Sequence, residues 1–372
     1  MTVTRNFFDV FIPDRSTDGF VCCDVTVEDG VITQIRRKSP DREGRCCYLL
    51  PGLVDLHTHG CLGFDFGTAT QAQIHQMCRW YFEQGVTSVV PTLITDTPSH
   101  LEAACARIAA AMKQQKKNEA RILGIHLEGP FLSFNKRGAH DPVALKQPDE
   151  ALLCRLQTAA EGQVITMTVD PAQYGALKLI GRHPEVHFSV GHTEGTYEQA
   201  TAAFAQGADR VTHAFNAMNG LHHRESGVLG AAFDRQPFVE LIADGMHVSP
   251  PVVRMTFALY QNTVLVSDSI CGAGAPDGEF PLAGLTMQVT DGVATLPDGT
   301  IAGSTVSLTE AMRRAMRFGI APARAVCAAT ELPALAIGRS DLGRVRRGAV
   351  ADLVLCDEQF YPIEILKGEE RK

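Results

Sequence analysis

Short apolar, β-branched runs alternate through the middle of the chain with longer stretches whose apolar residues recur at helical spacing. Eight runs read as strands, at 53–59, 87–93, 122–128, 164–169, 186–192, 210–214, 238–243 and 264–268. Between them, 70–84, 99–117, 148–160, 196–206 and 250–261 read as helices. Near-continuous apolar strands separated by helices imply parallel strands covered on both faces. Eight such units closing on themselves make an α/β (β/α)8 TIM-like barrel, with an open doubly wound sheet as the alternative that pattern alone leaves.

The ends follow another rhythm. The segment VTVEDGVITQIR at 25–36 is two strands around an Asp-Gly turn, a strong hairpin signal. VRRGAVADLVLC at 345–356 also alternates. Both fall outside the barrel repeat and predict a small β-sandwich domain formed from both chain termini. The expected division is 1–50 and 336–372 for this domain and 51–335 for a metal-dependent barrel. A further hairpin is expected at 287–296, after the eighth strand, followed by helices at 304–318 and 321–331. The charged tail at 367–372 is expected to fray.

A chain of 372 residues can bury about three quarters of its unfolded surface, so a large dry core is within reach. The net charge of −8 argues against non-specific nucleic-acid or anionic-membrane binding, both of which need a basic face. No window approaches 18 uncharged apolar residues, and the start MTVTRNFFDVFIPDR has no secretory pattern; the expectation is a cytoplasmic protein with neither nucleic acid nor membrane as partner. The 11 cysteines include the adjacent pairs Cys22, Cys23 and Cys46, Cys47, but no CxxC spacing. They read as small buried thiols in a reducing compartment.

Active sites of such barrels lie at the C-terminal ends of the strands. Strand one ends in Asp55-Leu56-His57-Thr58-His59, whose two imidazoles at i and i+2 face one side. Strand three ends in Glu128, strand five in His192, strand six in His213 and strand eight in Asp268. Taken singly, each has a plain alternative: a chance HxH, a turn-capping Glu, a satisfied core His, a helix-capping Asp. Their coincidence at strand ends changes the weighing. Burying so many ionisable groups is costly without a partner, and a divalent metal is the partner that suits imidazole and carboxylate.

At these residues the sequence resembles the N-acetylglucosamine-6-phosphate deacetylase family of the amidohydrolase superfamily. The resemblance rests on PGLVDLHTHG at 51–60, HLEGPFL at 126–132, GHT at 191–193, THAFNAM at 212–218, DGMHV at 244–248 and Ser267-Asp268, in that order over nearly the whole chain. It implies that Glu128, His192 and His213 hold the principal metal, and that His57 and His59 hold the second ion that some members carry. Glu128 then takes the bridging place that a carboxylated lysine fills in dihydropyrimidinase-like relatives. Zinc is the first expectation, one or two ions per subunit, with iron, manganese or cobalt as alternatives. Asp268 matches the catalytic aspartate, taking a proton from the attacking water and returning it to the departing amine.

The resemblance also implies substrate contacts from Ala139, His140, Asn216, Ala217, His247, Ala302 and Gly303. Arg224 matches a phosphate-binding arginine that the neighbouring subunit can contribute, so a homodimer or higher oligomer is expected. His222 and His223 receive no role. The run at 302–305 could equally start a helix capped by Ser304 or Thr305. Trp80 and Tyr81 read as a helix packing face. The expected reaction is deacetylation of an N-acetylhexosamine 6-phosphate. The galactosamine epimer, a different amidohydrolase and a non-catalytic scaffold are the competing readings.

Overall fold

In a computed structural model, which describes residues 3–14, 16–39 and 47–368, the alternating pattern closes into a barrel. Its eight parallel strands are Leu53–Thr58, Val86–Ile94, Ile125–Glu128, Val164–Val169, His187–Val190, Arg210–Val211, Phe238–Ile242 and Thr263–Val266. Each pairs with the next in sequence, and helices pack outside. Strand residues such as Val89, Leu127, Val190, Leu241 and Leu265 are buried, as strands covered on both faces require. Among the described residues, no helix is long and apolar enough to cross a membrane.

The first and eighth strands meet through the residues that follow them. The Asp268 amide donates to the His57 carbonyl at 2.9 Å, and the His59 amide donates to the Ser269 carbonyl at 2.7 Å. Tyr81, from the helix Gln71–Glu83, sits under this seam. Its hydroxyl lies 2.6 Å from Thr58 Oγ1 and 3.1 Å from Ser269 Oγ, and donates to the Gly60 carbonyl. The expected packing role of Tyr81 therefore includes a polar one.

Several helices begin where their sequences supply a cap: Thr70 and Thr196 in capping boxes, Thr97, Asp149 and Ser307. The expected helix 99–117 stops as Pro98–Met112, because the polar run beyond it has no apolar side chain to bury. The expected 321–331 helix breaks at Thr330 into Pro322–Ala329 and Glu331–Ala336. Two short helices, Ala176–Arg182 and Gly227–Arg235, were outside the sequence reading. The run at 302–305 is a loop rather than a helix start: the next helix is Leu308–Arg317, capped by Ser307, because the Ser304 amide is spent on the Asp268 carbonyl at 2.7 Å.

Both termini join one six-stranded sheet, in the order Pro362–Leu366, Leu353–Cys356, Cys47–Pro51, Thr4–Asp14, Gly19–Glu28 and Val31–Arg37. The Asp-Gly turn has positive φ at both residues, 48° at Asp29 and 75° at Gly30, as a type I′ hairpin demands. Of 345–356 only Leu353–Cys356 is a strand. Ahead of it, Asp352 turns its carboxylate onto Arg121 Nη1 at 2.6 Å and the Gly368 amide at 2.8 Å. The expected hairpin near 287–296 is part of a three-stranded sheet, Gly278–Leu282, Leu285–Thr290 and Val293–Thr295. Cys46 and the last four residues of the tail lie outside the described residues.

Candidate metal and substrate site

Glu128 is the last residue of its strand and His59 follows Thr58 directly. His192, His213 and Asp268 each lie two residues past theirs. The sequence reading extended the strands through them. The backbone departs first, with φ of 47° at His192, 24° at His213 and 47° at Asp268. Left-handed backbone costs an L-residue on the order of 1–2 kcal/mol, so each turn needs outside support. His192's carbonyl accepts from the Ser133 amide at 2.9 Å, and Asp268 is clasped on both sides by the seam and Ser304. Gly303, at φ 62°, completes that clasp: a Cβ there would stand 2.9 Å from the Asp268 carbonyl and 2.5 Å from Ile270.

These turns aim the side chains at one point. Glu128 Oε1 lies 3.1 Å from His192 Nε2 and 2.9 Å from His213 Nε2, and the two Nε2 atoms are 3.1 Å apart. Glu128 Oε2 lies 3.2 Å from His59 Nε2 and 3.4 Å from His140 Nε2. Asp268 Oδ1 is shared by His59 Nε2 at 3.2 Å and His57 Nε2 at 3.4 Å. Glu128 thus faces two groups of imidazoles, one with each oxygen.

The donors fit a divalent ion. Nitrogens about 2.0–2.1 Å from a tetrahedral ion stand roughly 3.3 Å apart, close to the spacings here. One proton on one nitrogen cannot satisfy three mutually facing acceptors, and His57 Nε2, fully buried, has no hydrogen-bond partner among the described residues. His57, His59 and Glu128 form one group that could hold a metal, and Glu128, His140 and His192 form another.

Burial alone would push the carboxyl pKa values up and the imidazole values down. Around Asp268, burial raises the value, but the positive charge of His57 and the hydrogen bond and charge of His59 bring it down to about 2. Glu128 is likewise held well below the usual range, against burial, by His57 and by hydrogen bonds from His140, His192 and His213. In return, the Asp268 and Glu128 carboxylates lift His59 to about 9 despite its burial. His140 goes the other way, to about 4, through burial and the neighbouring His192.

A cavity of about 270 Å³ opens above this cluster. It is lined by His59, Glu128, His192, His213 and Asp268, and also by Ala139, His140, Asn216, Ala217, His247, Ala302 and Gly303. His57 lies beneath it, fully buried. Of the residues singled out from the sequence, Arg224 is the one set apart: it is exposed, outside the lining, with Nη1 2.8 Å from His223 Nε2.

Other supports escaped the sequence reading. Thr95 Oγ1 holds His140 Nδ1 at 2.8 Å, the Lys136 carbonyl holds His192 Nδ1 at 2.8 Å, and Asp244 holds His247 Nδ1 at 2.7 Å. Thr95 and Asp244 follow the second and seventh strands, and that position was the available signal. Ile94, Ile270, Leu282 and Ile301 give the cavity an apolar wall.

A protein-family model described as the amidohydrolase family matches residues 48–372. N-acetylgalactosamine-6-phosphate deacetylase of Escherichia coli O157:H7 is 34% identical over 91% of this chain and 92% of its own length. N-acetylglucosamine-6-phosphate deacetylase of Vibrio furnissii is 33% identical over 84% of this chain and 79% of its own. A solved mutant of N-acetyl-D-glucosamine-6-phosphate deacetylase from Mycobacterium smegmatis, in complex with N-acetyl-D-glucosamine-6-phosphate, is 31% identical. It covers 99% of this chain and 97% of its own, with a TM-score of 0.88. The barrel, the histidine and carboxylate cluster at its mouth and these likenesses agree, and the chain belongs to the amidohydrolase family.

Proposed function

We propose that the protein hydrolyses the acetamide of N-acetylglucosamine-6-phosphate, giving glucosamine-6-phosphate and acetate. The observation that carries the reading is the position of Asp268: its Oδ1 sits between His57 and His59 beside Glu128, at the floor of a cavity of substrate size. The relatives' activities and the sugar phosphate in the M. smegmatis structure support the substrate.

Glu128, His192 and His213 would hold one divalent ion, and His57 and His59 with Glu128 a second, with zinc the ion of choice for this donor set. When bound, the ion supplies a Lewis acid that polarises the amide carbonyl and acidifies water. Asp268, a carboxylate at neutral pH, takes the proton of the attacking water on Oδ1. It then delivers that proton to the amide nitrogen as the carbon–nitrogen bond breaks. His140, neutral at pH 7 and oriented by Thr95, is placed to hydrogen-bond the acyl group. His247, Asn216, the Ala139 and Ala217 backbones and the Ala302-Gly303 loop would orient the sugar.

Arg224 would bind the phosphate, in this site or in that of a neighbouring subunit, which would make the enzyme a homodimer or a larger oligomer. Residues 51–335 would form the catalytic unit, with 1–50 and 336–372 as its flanking β unit. The reaction would take place in the cytoplasm, a reading supported by the fact that a phosphorylated sugar does not cross a bilayer unaided.

The second reading, the galactosamine epimer, is supported by the E. coli relative. Initial rates on the two epimeric 6-phosphates and their dephosphorylated forms, with metal content measured on the same sample, decide. The glucosamine series is expected to lead and the phosphate to lower KM. A preference for the other epimer installs the second reading, and indifference to phosphate removes both.

A further inference from the structure

Below the cluster lies a charged pair that the proposed reaction does not use. Glu240 sits in the strand Phe238–Ile242, and Arg210 opens the neighbouring strand; both are fully buried. Arg210 Nη1 lies 3.6 Å from Glu240 Oε1, and Arg210 Nη2 donates to the Ala336 carbonyl at 2.8 Å. Breaking such a buried pair on one side costs several kcal/mol, and it is weak evidence for stability in itself. What it touches is more informative.

Glu240 Oε2 lies 3.1 Å from His57 Nδ1 and also accepts from the His213 amide at 3.4 Å. One oxygen therefore ties the ring of one expected ligand to the main chain of another, at a residue whose φ is only 24°. A carboxylate only accepts, so Nδ1 must donate to it. A ligating imidazole is neutral, and with its proton on Nδ1 it presents a bare lone pair at Nε2. That Nε2 is buried with no hydrogen-bond partner among the described residues, 3.4 Å from both Glu128 and Asp268. The other histidines are held differently. His192 Nδ1 meets a main-chain carbonyl, and among the described residues Nδ1 of His59 and of His213 has no hydrogen-bond partner.

We propose that Glu240 is the positioning residue for the His57 half of the metal site, with Arg210 as its countercharge. Held at Nδ1, the ring is fixed in the tautomer and rotation that turn Nε2 toward Glu128 and Asp268. A carboxylate behind a ligating imidazole also raises its basicity. The proposal rests on the metal reading of the cluster, and its test separates the two.

The test is zinc titration of the metal-free full-length protein against a competing chelator, with thermal melting of each sample. The parent is expected to take up two equivalents. In Glu240→Gln, the weaker equivalent is expected to lose affinity by about 10–100-fold while the tighter one, at Glu128, His192 and His213, is kept. Should that variant misfold around an unpaired Arg210, the double variant Arg210→Met with Glu240→Met removes both charges together and is expected to lose the same equivalent. A merely structural role would lower the melting temperature without changing the ratio of the two affinities. A folded variant that binds both equivalents as the parent does overturns the positioning role, as does a parent that binds one. A parent that binds none overturns the metal reading itself.

Discussion

The inner and outer ends of the proposed site are built by different rules. At the inner end, strand termini and the turns just past them crowd His57, His59, Glu128, His192, His213 and Asp268 together, with side-chain atoms 2.9–3.4 Å apart. Several have a second contact behind the ring, Glu240 for His57 and Lys136 for His192. Farther out, beyond the cavity lining, Arg224 stands exposed in a loop, leaning on His223. On the proposed roles, the contrast separates chemistry from recognition. Groups that must act on a reacting bond are fixed by the barrel, whereas groups that choose the substrate ride on loops that can vary.

If that division is right, injuries at the inner end should cost turnover and those at the outer end should cost binding. The largest effect should come from stripping metal. Chelation followed by desalting is expected to lower activity at least roughly thousandfold, the loss of several kcal/mol of charge stabilisation, and zinc should restore it. Full activity in a sample shown by elemental analysis to hold no metal would end the metal reading. Next comes Asp268→Asn, which removes the proposed proton carrier. Turnover should fall about 10²–10⁴-fold with metal content and melting temperature close to the parent's. Near-parental kcat would remove its role.

At the outer end, Arg224→Ala should raise KM for the phosphorylated sugar by roughly tenfold to a hundredfold, about 1.5–3 kcal/mol for a hydrogen bond to a charged group. It should leave kcat and the unphosphorylated sugar nearly untouched. Equal losses on both sugars would show that the arginine does something other than grip phosphate.

The gentlest probe is pH. Carboxylates hold the His59 imidazole protonated up to about 9 in the metal-free protein, despite its burial. A cation must expel that proton, so zinc affinity should grow as pH rises, by about tenfold per unit for each proton displaced, and weaken as pH falls. Zinc added at pH 7 should release acid into an unbuffered solution. Affinity that stays flat from pH 6 to 8 would contradict the protonated state.

The inner end was largely legible in the sequence and the outer end was not. The rhythm of strand and helix placed Glu128, His192, His213 and Asp268 at one rim, because each follows an apolar run. The left-handed φ at three of them was hidden, since nothing in a histidine or aspartate announces it. Glu240 left a mark that went unread. It is an acid in the middle of an apolar run, just as Arg210 is a base at the head of the run before it, and two opposite lone charges in neighbouring strands are a pair in waiting. The helices Ala176–Arg182 and Gly227–Arg235 span only about two turns each, too few repeats for the helical spacing to stand out. The place of Arg224 relative to substrate depends on loop geometry, which leaves no periodic trace.

The seam between the first and eighth strands has a consequence for how such a molecule can change over generations. Its stitches are the amides and carbonyls of His57, His59, Asp268 and Ser269, so the stave that completes the cylinder is also the one that bears the proposed proton carrier. A substitution that slackens the closure loosens the chemistry in the same stroke. Drift there is opposed twice, and the loops on the far rim are left as the freer ground for acquiring a new substrate.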